Sequence, residues 1–169
     1  MDYKWIGAIL IISASGGFGF SLVRGHRREE AALRSLLIAL DYMSSELHFH
    51  APALSQLCRG AGKLCGRGVG QVFLKLADRL EDNQTPDAAS CMDAVLEDCQ
   101  LPAVTLENMR LLGASLGQFD LDGQLKGLEV VRSAAKTGLD KLLAEREQNM
   151  RNFQTLSLCA GAALVILLV

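Results

Sequence analysis

The chain has 169 residues, of which 50% are hydrophobic, 5% aromatic and 21% charged, and its formal net charge is −2. This length suits one domain, or a small domain with membrane anchors. The apolar content excludes a disordered chain, and the near-neutral charge excludes the basic field typical of nucleic-acid binding. Positions 24–152 contain six Val, one Ile and three Thr. These are too few β-branched residues for a sheet, so the predicted fold class is all-α.

Two long uncharged segments lie at positions 5–23 and 153–169. As helices they would extend about 28 Å and about 25 Å, against a bilayer hydrocarbon thickness of about 30 Å. Because a chain segment of this length can satisfy its backbone hydrogen bonds in lipid only as a helix, both are predicted to be transmembrane helices. A buried core helix stays open as the alternative for the second segment.

The charges beside the first segment predict its orientation. One lysine precedes it and several arginines follow it, a polarity that keeps the following residues in the cytoplasm. A cleaved signal peptide is the alternative. Two pairs of small residues four apart, Ser13 with Gly17 and Ser15 with Gly19, suit close helix contact. The residues expected to anchor the segment at the two membrane interfaces are Lys4, Trp5, Arg24, Arg27 and Arg28.

These features predict three parts of the chain: an N-terminal transmembrane helix over residues 1–24, a cytoplasmic helical bundle over 25–152, and a C-terminal transmembrane helix over 153–169. No proline lies between Trp5 and Ala51 or after Pro102. The first and last helices are therefore expected to continue unbroken from the membrane into the bundle. About six antiparallel helices are expected in the cytoplasmic bundle.

Helix signals follow one another along the predicted bundle. Apolar residues at three- and four-residue steps begin at Leu33 and mark the first helix, which ends before Pro52. A second helix is predicted over residues 52–64, and the glycine-rich residues 66–70 are a predicted turn. The third helix has its apolar stripe over residues 72–80.

The remaining helices carry predicted N-caps. Thr85, which precedes a proline, is expected to cap the fourth helix, Thr105 the fifth and Asp120 the sixth. Gly113 and Gly117 lie four residues apart on the fifth helix. Both are expected to let a neighbouring backbone approach closely.

The charged residues are divided unevenly along the chain. Residues 24–75 include eight basic and four acidic residues, whereas residues 78–122 include two basic and ten acidic ones. The basic part adjoins the predicted membrane segment, where anionic headgroups attract it. The acidic helices are expected to lie away from the anchors, either as a solvated face or as a docking surface for a basic partner. The candidate surface consists of Asp93, Glu97 and Asp98.

No pattern for catalysis or cofactor binding is found in the sequence, so no enzyme activity, cofactor or metal is expected. The five cysteines include no C-x-x-C pair and are interpreted as reduced core or membrane residues. One alternative is a metal site built from Cys58, Cys65, His48 and His50, which would indicate a membrane-bound sensor or enzyme. An exported helical adaptor is another.

Residues 112–128, LGASLGQFDLDGQLKGL, resemble the L-G-x-x-L-G-x-x-D-x-x-x-Q-x-x-x-L stretch of the stage III sporulation protein AB family. The opening KWIGAILII, the mid-chain VFLKLADRL and the closing ALVILLV are similar to further segments of that family, so the resemblance covers the whole chain. Cys91 and Ser157 depart from it, since the family tends to have tryptophan and glycine there.

The resemblance implies a membrane protein of endospore-forming bacteria whose cytoplasmic bundle is similar to the F-type inner-membrane platform proteins of type II secretion and type IV pilus systems. It implies a place in the mother-cell membrane around the forespore, in a channel complex with other stage III sporulation membrane proteins. A cytoplasmic secretion-type ATPase, stage III sporulation protein AA, would be the partner. The expected function is a non-enzymatic platform that docks this ATPase. A true type II secretion or pilus platform subunit is the alternative, although such subunits normally have duplicated bundles.

Overall fold

The structure is a computed structural model of the chain. It describes the backbone of residues 3–50, 52–82, 87–117 and 120–168, and the side chains of residues 25–50, 52–82, 87–117, 120–146 and 148. Six helices and no strand occur in these ranges, which confirms the all-α prediction. The helices are α1 (Tyr3–Phe49), α2 (Leu54–Leu64), α3 (Arg67–Glu81), α4 (Ala88–Glu97), α5 (Ala103–Ser115) and α6 (Leu121–Leu168).

The first and last helices are much longer than the four between them. α1 has 47 residues and α6 has 48, so each extends about 70 Å. α1 continues through the predicted boundary at residue 24, and α6 through the one at residue 152. The unbroken course predicted from the absence of proline is therefore present in both.

Residues 5–23 and 153–168 of the predicted membrane segments belong to the parts of α1 and α6 whose side chains lie outside the described residues. Where side chains are described, no helix has a stretch that is long and apolar enough to cross a bilayer.

One continuous hydrophobic core holds the six helices together. The predicted apolar stripe of α1 lies in it, because residues at three- and four-residue steps share one helix face. Phe73 of α3, Met92 of α4, Met109 of α5 and Val131 of α6 are all fully buried in the same core. The buried members of the α1 stripe, none more than 4% exposed, are Leu33, Leu36, Leu40, Met43 and Leu47.

α1 and α6 run antiparallel, as the contacts between them demonstrate. Arg132 of α6 pairs with Asp41 of α1 at 3.0 Å, and Arg146 pairs with Glu30 at 3.4 Å. Residue numbers thus fall along α6 as they rise along α1. The same inverse order relates α2 to α3, where Arg59 pairs with residues 78 and 81 near the end of α3.

The prediction of a turn over residues 66–70 was wrong after Gly66, because α3 begins at Arg67. Two glycines allow α2 and α3 to approach closely instead. A Cβ atom on Gly70 would lie 2.7 Å from the backbone oxygen of Gly62, and one on Gly62 would lie 2.8 Å from Leu74 Cγ. These glycines are explained by the close approach of two helices rather than by a break in the chain.

Candidate partner surface

The acidic residues of the predicted partner surface lie on α4, which begins with a local N-cap. The Asp87 Oδ1 atom accepts a hydrogen bond from the backbone N–H of Ala89 at 3.3 Å. The prediction of Thr85 as the cap was therefore wrong by two residues, and Thr85 itself lies outside the described residues. Asp87 satisfies one of the backbone donors that every helix start leaves open, as an Asp cap does.

α4 packs closely against α5 at Gly113. A Cβ atom on Gly113 would lie 2.7 Å from Met92 Cβ, so only glycine permits this approach, as the sequence predicted. Gly117 has a different role. It follows the end of α5 with a φ of +78°, in the left-handed region that favours glycine, and a Cβ there would make only an ordinary 3.6 Å contact. Its assignment as a close-packing residue was wrong, because the helix ends two residues earlier.

The three acidic residues all lie on the exposed side of α4. Asp93 forms an ion pair with Arg110 on α5 at 3.7 Å. Because both side chains are more than half exposed, this pair contributes little to stability. Glu97 and Asp98 have no ion-pair partner among the described residues. Two carboxylates thus remain free for a partner at the end of the helix.

The charge of these two carboxylates is unfavourable for the helix that carries them. Glu97 is the last residue of α4 and Asp98 is its C-cap, and no basic residue lies in the last turn. The C-terminal end of a helix carries a partial negative charge, so acidic residues there destabilise it by about 0.3–1 kcal/mol each. Local conflicts of this kind are expected mainly at functional or strained sites.

The next helix, α5, is capped by a residue from a distant part of the chain. The Glu29 carboxylate on α1 accepts hydrogen bonds from the backbone N–H of Thr105 at 2.9 Å and from its hydroxyl at 2.7 Å. Thr105 is therefore a donor in the first turn, and its assignment as N-cap was wrong. The N-cap position is Pro102, which has no side-chain acceptor, so Glu29 supplies the missing acceptor.

Glu29 was not singled out in the sequence, although one signal could have identified it. It precedes Leu33 and Leu36 by four and seven residues, which places it on the buried apolar stripe of α1. Its side chain is only 9% exposed. An acidic residue at a core position of an amphipathic helix indicates a hydrogen-bonded partner, because an unpaired buried carboxylate is costly.

The contact between Glu29 and Thr105 holds the start of α5 on the α1 segment 25–35. Residues 100–102, which connect α4 to α5, line one groove together with this segment, and a Cβ atom on Gly68 of α3 would lie 3.4 Å from Leu101 Cδ2. The connection that follows α4 therefore shares a groove with the predicted anchor Arg28, although the acidic helices were expected to lie away from the anchors. The tertiary contacts between α5 and α1 decide this position.

The other predicted residues divide into described and undescribed positions. Asp120 caps α6, as predicted: its Oδ1 atom accepts a hydrogen bond from the N–H of Gly123 at 3.1 Å. Arg27 and Arg28 are exposed on α1, as interface anchors would be. The side chains of the remaining predicted anchors, Lys4, Trp5 and Arg24, and the surroundings of Gly17 and Gly19 lie outside the described residues.

The structure does not assemble the alternative metal site. Among the described residues, which include Cys58, Cys65, His48 and His50, no three potential ligands are grouped closely enough to hold a metal ion. Burial raises the pKa of the Cys58 thiol to about 12, so it stays protonated near neutral pH, whereas metal ligation requires the thiolate. The Cys65 thiol donates a hydrogen bond to the backbone oxygen of Ser35 at 3.1 Å.

Comparison with known proteins matches almost the entire chain to one family. The sequence profile of the stage III sporulation protein AB family matches residues 4–169. The chain belongs to this family. It is 24% identical over 172 residues to stage III sporulation protein AB of Bacillus subtilis (strain 168), a match that covers 98% of each sequence. A solved structure of a stage III sporulation protein AB has the same fold, with a TM-score of 0.62 and 17% identity over 72% of this chain and 98% of that one.

The stretch that resembles the AB family most specifically, residues 112–128, includes the end of α5 and the start of α6. Gly113 permits the contact with α4, Gly117 adopts the left-handed conformation after α5, and Asp120 caps α6. Leu112 and Leu116 are buried. The recognisable stretch of this AB-family chain therefore has structural roles, and the acidic surface on α4 lies outside it.

Proposed function

We propose that this AB-family chain is a non-enzymatic membrane platform of a sporulation-specific secretion or channel complex between mother cell and forespore. In this proposal residues 5–23 and 153–169 span the mother-cell membrane, and the bundle lies in the cytoplasm. The acidic surface on α4 docks a cytoplasmic secretion-type ATPase, stage III sporulation protein AA. The family membership supports the sporulation role, and the ATPase contact rests on the chemistry of α4.

The observation that carries the proposed docking is the pair of exposed, unpaired carboxylates at the C-terminus of α4. Glu97 and Asp98 oppose the helix dipole and have no ion-pair partner among the described residues. A basic surface on a partner would compensate this charge and gain orientation and association rate from it. Asp93, one helical turn before Glu97, adds a third carboxylate to the same exposed side.

A continuous set of contacts connects this surface to the long helices. α4 packs on α5 through Met92 and Gly113, and α5 is joined to α1 through Thr105 and Glu29. Glu29 lies six residues after the predicted membrane segment, about 9 Å along the helix. Load applied to α4 would therefore reach α1 close to the bilayer, which is what a platform that couples an ATPase to a membrane complex requires.

The docking experiment uses charge reversal on the full chain. The variant D93K/E97K/D98K is co-expressed with the AA ATPase and purified in dodecyl maltoside, and the amount of ATPase that copurifies is measured. We expect a loss of about 10-fold or more, because each reversed pair at an interface costs on the order of 1 kcal/mol or more.

The matched control, E129K/D140K/E145K, changes the net charge equally at exposed positions of α6. It should retain the ATPase at the wild-type level. Equal retention by both variants would exclude α4 as the docking surface.

The membrane part of the proposal is tested separately by alkaline carbonate extraction of cell membranes. The full chain should remain in the pellet, because carbonate removes peripheral proteins and leaves transmembrane helices inserted. A variant that lacks residues 1–24 and 153–169 should be released into the supernatant. Release of the full chain would contradict the two predicted spans.

A further inference from the structure

An open groove of about 860 Å³ lies where three elements of the bundle meet. Its walls are the α1 segment 25–35, the start of α3 at residues 66–69, and the connection between α4 and α5 at residues 100–102. The first wall directly follows the predicted membrane segment 5–23. The groove therefore lies at the end of the bundle that would be nearest the bilayer.

Two exposed arginines, Arg28 of α1 and Arg67 of α3, line two of these walls. Neither guanidinium has an ion-pair or hydrogen-bond partner among the described residues. The adjacent acid Glu29 is buried and accepts from Thr105, and Glu30 is paired with Arg34 and Arg146. The groove thus presents two uncompensated positive charges and no acidic lining residue.

The remaining lining suits a ligand that is partly polar and partly apolar. α3 begins at the groove without a side-chain cap, so the N–H groups of its first turn add partial positive charge to that of the arginines. The apolar lining residues are Ala31, Ala32, Val69, Leu101 and Pro102. A phosphate with an attached glycerol and the first part of an acyl chain has this combination of chemistry.

The position of the groove, just beyond the predicted membrane span, is the level at which lipid headgroups lie. Arg28 lies five residues after Val23, about 7.5 Å along α1. The headgroup layer of a bilayer is about 5–8 Å thick on each side of the hydrocarbon region. The Arg28 guanidinium can therefore reach the phosphates of the surrounding lipid. Glu97 and Asp98 precede the third wall in sequence but do not line the groove.

We infer that this groove binds the headgroup of an anionic phospholipid, with Arg28 and Arg67 contacting its phosphate. The inference rests on the membrane location proposed above. Such a lipid would hold the starts of α3 and α5 against α1 and fix the rotation of the bundle on the membrane surface. The acidic end of α4 precedes the groove residues 100–102 in sequence. With the bundle held in one rotation, this acidic end would face the cytoplasm in a fixed direction.

The experiment titrates the full chain in dodecyl maltoside with dioctanoyl phosphatidylglycerol and follows the midpoint of thermal unfolding, from which a dissociation constant is obtained. The double variant R28A/R67A should bind about 25-fold more weakly, about 5-fold for each arginine. The variant A31W fills the groove without a change of charge and should weaken binding at least about 5-fold, since Trp at this exposed position displaces the ligand rather than disturbing the core.

The matched control K75A/R79A also removes two positive charges, here from exposed positions of α3 that lie about 12 Å and 18 Å along the helix from Arg67. It should bind like the wild type. An equal loss in both double variants, or none in either, would overturn the groove as the site. Dioctanoyl phosphatidylcholine should give no shift. An equal shift with sodium phosphate or with a tetraglutamate peptide would overturn a lipid as the occupant.

The two proposals fail in distinguishable ways. If the full chain stays in the carbonate-washed membrane pellet but binds phosphatidylglycerol independently of Arg28 and Arg67, the groove inference alone is wrong. If the full chain is released by carbonate, the membrane anchoring is wrong and the inference falls with it.

Discussion

The helices α4 and α5 are neighbours in sequence and space, but their N-termini are stabilised in opposite ways. The N-cap of α4 is Asp87, whose carboxylate accepts from a backbone N–H two residues later. The N-cap of α5 is Pro102, which has no side-chain acceptor, and Thr105 in the first turn donates to Glu29, 76 residues earlier in the chain. One start is a local arrangement, whereas the other depends on the packing of α5 against α1.

This difference indicates how the bundle is connected. A local cap stabilises its own helix whatever the rest of the chain does. A cap supplied by another helix fixes the position of one helix relative to the other. The buried hydrogen bonds of Glu29 therefore hold the start of α5 next to the part of α1 that follows the predicted membrane segment, and α4 packs in turn on α5.

Removal of the distant cap should destabilise the bundle most. The variant E29A should lower the free energy of unfolding by about 2–3 kcal/mol, because it removes two hydrogen bonds to a charged acceptor and leaves buried donors unpaired. The variant D87A should lower it by only about 1 kcal/mol, as expected for a half-buried N-cap. Thermal unfolding of the full chain in dodecyl maltoside measures both. Equal losses would mean that the two caps are equivalent.

The contact between α4 and α5 is tested by filling the space at Gly113. The variant G113A should lower the free energy of unfolding by about 1 kcal/mol, since the overpacking cost against buried Met92 exceeds the gain in helix propensity. The control G25A has nothing within 4 Å of the added Cβ and should be neutral or stabilising. A stabilised G113A variant would show that the two helices are not tightly packed.

The smallest expected effect has the opposite sign and concerns the end of α4. The variant E97Q/D98N should raise the free energy of unfolding by about 0.5–1 kcal/mol at low salt, because it removes two charges that oppose the helix dipole. Asp122 lies in the first turn of α6, where the dipole favours an acid, so D122N should lower it. High salt should reduce both effects. A destabilised E97Q/D98N variant would contradict the proposed conflict between folding and binding.

The sequence alone predicted the features that depend on neighbouring residues. The spacing of Leu33, Leu36 and Leu40 predicted the buried face of α1, and the absence of proline predicted the two long helices. Asp120 was recognised as a cap because its partner lies three residues away. The uneven distribution of charge along the chain indicated the acidic surface of Asp93, Glu97 and Asp98, which are exposed, but their use by a partner stays a prediction.

Only the tertiary structure decided the features that join distant parts of the chain. The cap of α5 could not be assigned locally because its acceptor, Glu29, lies on another helix. The glycines of residues 66–70 indicated a turn, although Gly70 is required by the approach of α2, which no local pattern reveals. The groove between Arg28 and Arg67 exists only because α1, α3 and the α4–α5 connection meet. Local signals determine where helices form, whereas the packing of their faces determines which side chains become neighbours.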